Sequence, residues 1–341
     1  LLIMSHNKPQ LLKRSMAAIC ELELIDRFSV YVSEDAGLAT LVSEATTSRC
    51  VTEVLHFKQP PAQPKTFAAG GLALIANHFG AALQAVLGDR GHSHAVVLED
   101  DLLVSRDFLR FFWEVAWLLE RDPSLWCASA WNDQGFPHTV SGDVATLRRT
   151  DYFPGLGWMI TAAVWRELQP RWPKRATTGW DHWMRVPTTS RGRECVVPEV
   201  PRTHHKPIGR GTNVISNSAF DRFAFEQTGV ATAEGFGDVS YLLEPAYESS
   251  MVTLMRAASL GNFSPPELPR NPKEAAAMGK AWVEALPRGS TTLLLYVREG
   301  YKRLAAPLGL WPESPRGTRS GLIAVHTPAG ATLLLADQRK C

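Results

Sequence analysis

Three consecutive carboxylates, Glu99, Asp100 and Asp101, follow directly on the apolar run Ala95-Val96-Val97-Leu98. Adjacent carboxylates repel one another, and a hard divalent cation is the usual way to neutralise them. A solvated strand-to-helix turn is the alternative, with Ser105 capping a helix over residues 106–120. Short acidic motifs are common, so the spacing alone leaves both readings open. A fourth carboxylate, Asp181, stands between indoles in Gly179-Trp180-Asp181-His182-Trp183-Met184-Arg185. An apolar cage raises a carboxylate's pKa and primes it as a base if the cage opens onto a cleft. The other reading is a buried Asp181 paired with Arg185. In Phe153-Pro154-Gly155-Leu156-Gly157-Trp158 two glycines flank Leu156, which suits backbone held tightly against a ligand, or a tight turn packed on the core.

The elements that must position these residues alternate in type. Residues 1–5, 28–33, 51–56 and 94–99 read as strands. Helices are expected after Asn7, as N-cap with Pro9 in the first turn, and over 66–87. A helix with Phe108, Phe111, Val115 and Leu118 on one face comes next, then an apolar run at 126–131. This rhythm predicts an α/β fold with a mostly parallel, doubly wound sheet. The acidic triple and Asp35 then both lie at carboxyl ends of strands, where such sheets bind ligands. Past residue 223 the signals weaken. A proline-rich linker over 260–273 precedes a helix at 274–286 and strands at 291–297, 321–326 and 331–336, a small α+β appendage.

The chain has 341 residues, 45% hydrophobic and 21% charged, with net charge +2. That balance offers no electrostatic case for nucleic acid or an anionic membrane. The most apolar window, 67–87, is interrupted by Asn77, His78 and Gln84 and reads as a buried helix. The chain opens strand-like at Leu1, which reads as a truncated start, so the lack of an anchor says nothing about the full-length protein. Five cysteines do not make a disulfide scaffold and leave one over. Eleven tryptophans are enough for sugar stacking, although most are expected in the core.

Taken together, the stretches 95–102, 124–133, 153–158, 180–185 and 192–195 resemble, in order and spacing, the β-1,2-N-acetylglucosaminyltransferases of glycosyltransferase family 13. The likeness runs over roughly residues 1–225. It implies a GT-A nucleotide-sugar fold over 1–245, with a nucleotide-binding half to about 101 and an acceptor half beyond it, followed by a C-terminal α+β domain over 246–341. It also implies that Asp101 binds Mn²⁺ bridging the UDP pyrophosphate, and that Glu99 and Asp100 contact the sugar and ribose hydroxyls. Asp35 would meet the uracil, His78 would lie in the donor site, and Lys8 sits where the family usually has arginine. Leu156 and Trp180 would line the donor pocket, and Asp181 would be the catalytic base. Cys127 and Cys195 match a pair that is disulfide-bonded in animal members, whereas Cys20, Cys50 and Cys341 have no counterpart. Departures are Lys8, His182 in a variable slot, an insertion over 175–179, and the loop Gly209-Arg210-Gly211-Thr212-Asn213, which only loosely follows the family's glycine-rich loop over the nucleotide.

The activity implied is an inverting, metal-dependent transfer of GlcNAc from UDP-GlcNAc to a mannose-terminated glycoprotein acceptor in the Golgi lumen, by a protein anchored in the membrane upstream of this chain. One base and one metal suffice for inversion, whereas a glycosyl-enzyme would need a second well-placed carboxylate. The mannosyl α-1,3 arm of an N-glycan, the more widespread activity, is the first acceptor expected; O-linked mannose is the second, because Asp133-Gln134-Gly135, Gly192-Arg193-Glu194-Cys195 and the tail from Pro315 to Leu322 look more like the O-mannose enzyme. A catalytically dead, sugar-binding relative and a purely structural α/β protein are the remaining readings.

Overall fold

The computed structural model describes residues 1–59, 67–174, 178–205, 220, 222–231, 233–263 and 267–340. The chain begins with β1 (Leu2–Ser5), α1 (Pro9–Ile19), β2 (Tyr31–Glu34), α2 (Ala39–Thr46), β3 (Glu53–His56) and α3 (Phe67–Leu83). Then come β4 (His94–Glu99), β5 (Leu102–Val104), α4 (Phe108–Arg121), β6 (Leu125–Ser129), β7 (Leu147–Thr150) and β8 (Trp158–Thr161). α5 (Ala162–Leu168), α6 (Trp180–Met184), α7 (Pro187–Ser190), β9 (Glu194–Pro198) and β10 (Thr203–His205) complete the first part.

Eight of these strands form one sheet in the order β3-β2-β1-β4-β8-β6-β9-β7. β8 and β7 run against the other six, so the sheet is mostly parallel with two reversals. Alternation along each strand divides its side chains between two cores, as a pleated strand with both faces covered must. Ile3, Val32, Val96 and Leu98 pack with α1, α2 and α4 on one face. Leu2, Met4, Ala95, Val97 and Trp158 pack with α3, α5 and α6 on the other. Phe108, Phe111, Val115 and Leu118 are fully buried, as their helical spacing predicts. The stretch Gly71–Asp89 is long and apolar enough to cross a membrane, yet Ala76, Phe79, Ala82 and Leu83 are buried in the second core.

Several boundaries differ from the sequence expectation. Lys8 rather than Asn7 precedes α1, and it makes no side-chain cap. α3 ends at Leu83 and continues as a π-turn over Gln84–Asp89. Ser105 does not cap α4. Its hydroxyl donates to Asp107, whose carboxylate is drawn inward by the buried Arg202 guanidinium at 3.0 Å and by the Val230 amide. The strands expected at 28–33 and 51–56 start later, at Tyr31 and Glu53.

The C-terminal part comprises α8 (Glu244–Arg256), β11 (Ser259–Leu260), α9 (Pro272–Glu284), β12 (Thr291–Tyr296), α10 (Tyr301–Ala305), β13 (Thr318–Arg319), β14 (Leu322–His326) and β15 (Thr332–Asp337). Its sheet runs β11-β12-β15-β14-β13. The expected division at 245/246 falls inside the first turn of α8. A third core joins Trp131, Phe136 and Phe223 to Leu294, Tyr301, Leu308 and Leu333, so the two parts share apolar side chains. Disulfides link Cys127 to Cys195 across the adjacent strands β6 and β9, and Cys20 to Cys50. The second pairing was not anticipated, and Cys341 lies outside the described residues.

Candidate active site

β4 lies inside the sheet between β1 and β8, so its last residues emerge at the crevice beyond the strand ends. The Asp100 amide donates to the Met4 carbonyl, the Ser15 hydroxyl to the Asp100 carbonyl at 2.6 Å, and the Ser5 hydroxyl to the Asp100 carboxylate at 2.5 Å. The acidic turn is therefore fixed by β1 and α1. Burial pushes the Asp100 carboxyl up to about 6 against the opposing Ser5 hydrogen bond. Glu99 is driven well above the usual carboxylate range by burial and then by the charges of Asp101, Asp100 and Asp181. Burial acts on Asp101 in the same direction but is outweighed by His205 and Lys8, so its carboxyl stays below the ordinary value.

Accumulated negative charge with one carboxylate held ionised fits a divalent cation. Among the described residues no group of three or more His, Cys, Asp or Glu forms a ready-made cage. The site fits an ion that keeps water or phosphate oxygens as further ligands rather than one enclosed by protein.

Asp35, one residue past the end of β2, is gripped from three sides. His6 Nδ1 lies 2.6 Å from Oδ1, Gln59 Nε2 donates to Oδ2 at 2.8 Å, and His78 Nδ1 is 3.5 Å from Oδ2. These contacts outweigh burial and hold the Asp35 carboxyl low. His78 also meets the Ser33 hydroxyl at 2.6 Å, and burial pulls its imidazole down to about 4. The structure thus joins Asp35 and His78, which lie 43 positions apart, into one network. Glu34, which the sequence did not single out, is buried and accepts from the Ala36 and Gly37 amides while lying 2.6 Å from His56 Nδ1. It builds the turn that presents Asp35, with Gly37 in left-handed backbone at φ +66°. Lys8 lies close enough for its charge to bear on all three members of the acidic triple.

Gly155, Leu156 and Gly157 are three successive residues at positive φ. Their carbonyls accept from the Ser129 hydroxyl, the Thr203 hydroxyl and the Ala130 amide respectively. A Cβ at Gly157 would meet Thr203 Cγ2 at 2.9 Å, so the glycine lets β10 pass close by. Leu156 is half-buried and touches both the first and third cores.

Trp180 is only 7% exposed and lies within a stack of Phe79, Phe153, Trp158 and Trp172. Its indole supports the wall from behind. Asp181 is not caged between indoles as the sequence suggested. It turns to Arg185, which donates to it at 2.6 Å, and its side chain is 35% exposed. Its charge also bears on Glu99, so it lies in the neighbourhood of the acidic triple.

Beyond Arg185 lies a cluster the sequence did not assemble. The Arg185 and Arg316 guanidinium groups stand over the Tyr152 ring at 4.9 and 5.4 Å, and Arg316 stacks on Trp311 at 4.3 Å. Asp133 is buried 3.6 Å from Arg316. Among the described residues Asp133 Oδ2, Arg316 Nε and Trp311 Nε1 are buried without a hydrogen-bond partner. Buried polar atoms are rarely left unmet, so the cluster is a candidate to take up water or ligand atoms. Pairing of Arg316 with residues almost two hundred positions away has no local sequence signal. Thr212 and the loop 209–213 lie outside the described residues.

Comparison with known proteins completes the picture. A family model described as "GNT-I family" matches residues 1–262. An Arabidopsis thaliana protein named alpha-1,3-mannosyl-glycoprotein 2-beta-N-acetylglucosaminyltransferase is 30% identical over 206 residues, covering 60% of this chain and 46% of that protein. The chain thus spans about half the length of the curated relative it matches. Weaker likenesses link it to solved structures. S. aureus TarS 1–349 has TM-score 0.40 and 10% identity, over 58% of this chain and 57% of that one. The mannosyltransferase PcManGT from Pyrobaculum calidifontis, in complex with GDP-Man and Mn²⁺, has TM-score 0.37 and 17% identity, over 59% and 56%. The large mostly parallel sheet is of the GT-A type. With the ordered motifs all falling inside the matched span, the chain belongs to the GNT-I family.

Proposed function

We propose that this chain is the catalytic unit of an inverting, divalent-cation-dependent β-1,2-N-acetylglucosaminyltransferase that moves GlcNAc from UDP-GlcNAc to the terminal α-1,3-mannose of an N-glycan. The observation that carries the reading is the nearness of two unlike carboxylate groups. A half-buried acidic triple ends β4, and a partly open Asp181 lies near enough for its charge to bear on Glu99. The name of the Arabidopsis relative supports the donor and acceptor. Two disulfides suit an oxidising secretory compartment, and the Golgi lumen is the proposed location.

In this reading Asp35, held by His6, Gln59 and His78, orients the uracil, and Lys8 offsets the charge brought together by donor and acids. Leu156 and the Trp180-supported wall flank the sugar. Asp101 would hold Mn²⁺, and the ion when bound would neutralise the leaving diphosphate. Asp181 accepts the proton of the mannose 2-hydroxyl as that oxygen attacks the anomeric carbon from the face opposite UDP. The bond to the β-phosphate oxygen breaks and the configuration inverts. The half-buried Tyr152 and Arg316 receive the acceptor sugar, with the buried Trp311 and Asp133 holding the Arg316 guanidinium in place.

The test presents UDP-GlcNAc with a mannose-terminated N-glycan or an O-mannosyl peptide, with and without Mn²⁺. Mn²⁺-dependent transfer to the N-glycan with β-1,2 linkage is expected. Transfer confined to the O-mannosyl peptide would move the acceptor to the second reading, which the 133–135 and 315–322 stretches favour. Donor binding with no transfer or hydrolysis would make the chain a sugar-binding relative.

A further inference from the structure

Among the described residues, the carboxylate proposed to hold the cation has a polar neighbour with no assigned role. His205 Nε2 lies 3.4 Å from Asp101 Oδ2. The placement is built into the backbone: β10 pairs antiparallel with β5 in the register His205 to Leu102, the residue after Asp101. Thr203, two residues before His205, is tied to the Leu156 carbonyl at 2.7 Å, so the ladder is anchored at the Gly155–Gly157 turn. The His205 ring packs on Phe220 at 4.7 Å between centroids, and its side chain is only 11% exposed. Its Nδ1 is buried without a hydrogen-bond partner among the described residues, so Asp101 is the polar contact that orients the ring.

From this geometry, and resting on the proposed function, we infer that His205 is a second protein ligand of the divalent cation, coordinating through Nε2 alongside Asp101 Oδ2. Two adjacent ligands of one cation at bond lengths of about 2.1 Å are themselves about 3 Å apart, close to the separation observed. An imidazole suits transition ions and not magnesium or calcium, which prefer all-oxygen shells. One nitrogen ligand therefore biases the site toward Mn²⁺ and its neighbours in the transition series. The remaining positions stay free for diphosphate oxygens and water, in keeping with a crevice that lacks a full protein cage.

The experiment is electron spin-echo envelope modulation on the intact chain loaded with Mn²⁺ and UDP, together with calorimetric Mn²⁺ titration in the presence of UDP. Wild type is expected to show the ¹⁴N modulation of a directly bound imidazole, and His205→Asn to lose it while its apparent Kd for Mn²⁺ rises at least about tenfold. His205→Asp, which restores a donor but supplies oxygen, is expected to bind Mn²⁺ more tightly than His205→Asn and to show no ¹⁴N signal. Circular dichroism melts confirm that both variants are folded. Tight Mn²⁺ binding by wild type without ¹⁴N modulation overturns the inference and leaves the proposed function standing. Failure of the wild type to bind Mn²⁺ with UDP overturns both.

Discussion

The Asp181 carboxylate accepts a hydrogen bond at 2.6 Å from Arg185, which caps the end of α6, while 35% of the Asp181 side chain stays open to solvent. The pairing and the opening coexist because an (i, i+4) ion pair occupies one edge of a carboxylate and leaves the other oxygen available. Such a partly exposed pair stabilises a helix by only about 0.3–0.5 kcal/mol, so it does not account for the residue energetically. As an orienting contact it engages Oδ2 and leaves Oδ1 free of Arg185.

Asp181→Asn is accordingly expected to lower kcat by at least about two orders of magnitude, the usual worth of a positioned general base. Asparagine still accepts from Arg185, so the melting temperature should shift by no more than a few degrees and UDP-GlcNAc binding should be nearly unchanged. Turnover and thermal melts on one preparation decide the matter. A stable variant with normal kcat removes Asp181 from the chemistry.

Asp101→Ala should abolish the Mn²⁺-dependent part of UDP affinity and leave the fold intact, since relieving a half-buried like-charge cluster does not destabilise it. Titration calorimetry of UDP with and without Mn²⁺ is the check. Equal affinities in wild type and variant would remove the residue from the metal site.

Arg316→Lys keeps the positive charge beside Asp133 and loses the planar face that stacks on Trp311. The acceptor KM is expected to rise roughly tenfold, about 1.4 kcal/mol of sugar binding, with the UDP-GlcNAc KM unchanged. Equal changes in both constants would point to a general loosening of the crevice instead.

Burial, with Arg148 nearby, holds the His326 imidazole down to about 3, against an ordinary value of 6.5. Because the folded state resists the proton that the unfolded chain accepts, stability is full above about pH 6.5 and falls as the pH drops toward 3. The limiting slope is about 1.4 kcal/mol per pH unit. Melts between pH 7.5 and 5 should show this loss, and His326→Gln should flatten it. An unchanged pH profile in the variant would assign the acid sensitivity elsewhere.

Reduction of the Cys20–Cys50 bridge, which spans 30 positions, should cost ~3–4 kcal/mol on the loop-entropy estimate, and the 68-position Cys127–Cys195 bridge about 4. Non-reducing peptide mapping should recover both pairs. Free thiols at Cys20 and Cys50 would contradict the fold at that corner.

What the sequence made legible was whatever rested on local pattern. The acidic end of β4, the buried face of α4 and the hairpin β14–β15 follow from periodicity of two or 3.6 residues. The Cys127–Cys195 pair was reached through family likeness. The helix starts at Asn7 and Ser105 were misplaced; at Ser105 a buried arginine from residue 202 claims Asp107. The expected indole cage around Asp181 failed for a related reason: Phe79 and Trp172, distant in sequence, draw Trp180 into the core. The cluster of Asp133, Tyr152, Trp311 and Arg316 could not be read at all, since only packing of the C-terminal sheet against the first domain brings its members together.

That packing carries a consequence for how the molecule comes apart. α8 begins with the Glu244 amide bonded to Asp122, and its Tyr247 hydroxyl accepts from the Arg149 amide of β7. From the far side Arg319 reaches Glu194 and Glu248 together. A cut near residue 245 would strip Trp131, Phe136 and Phe223 of their cover and orphan several charges in the larger piece. The two parts are therefore expected to unfold as one cooperative unit. A single calorimetric endotherm, with van't Hoff and calorimetric enthalpies equal, is its expected signature. A damaging substitution in the small C-terminal sheet would then lower the amount of active enzyme without touching a single atom of the crevice.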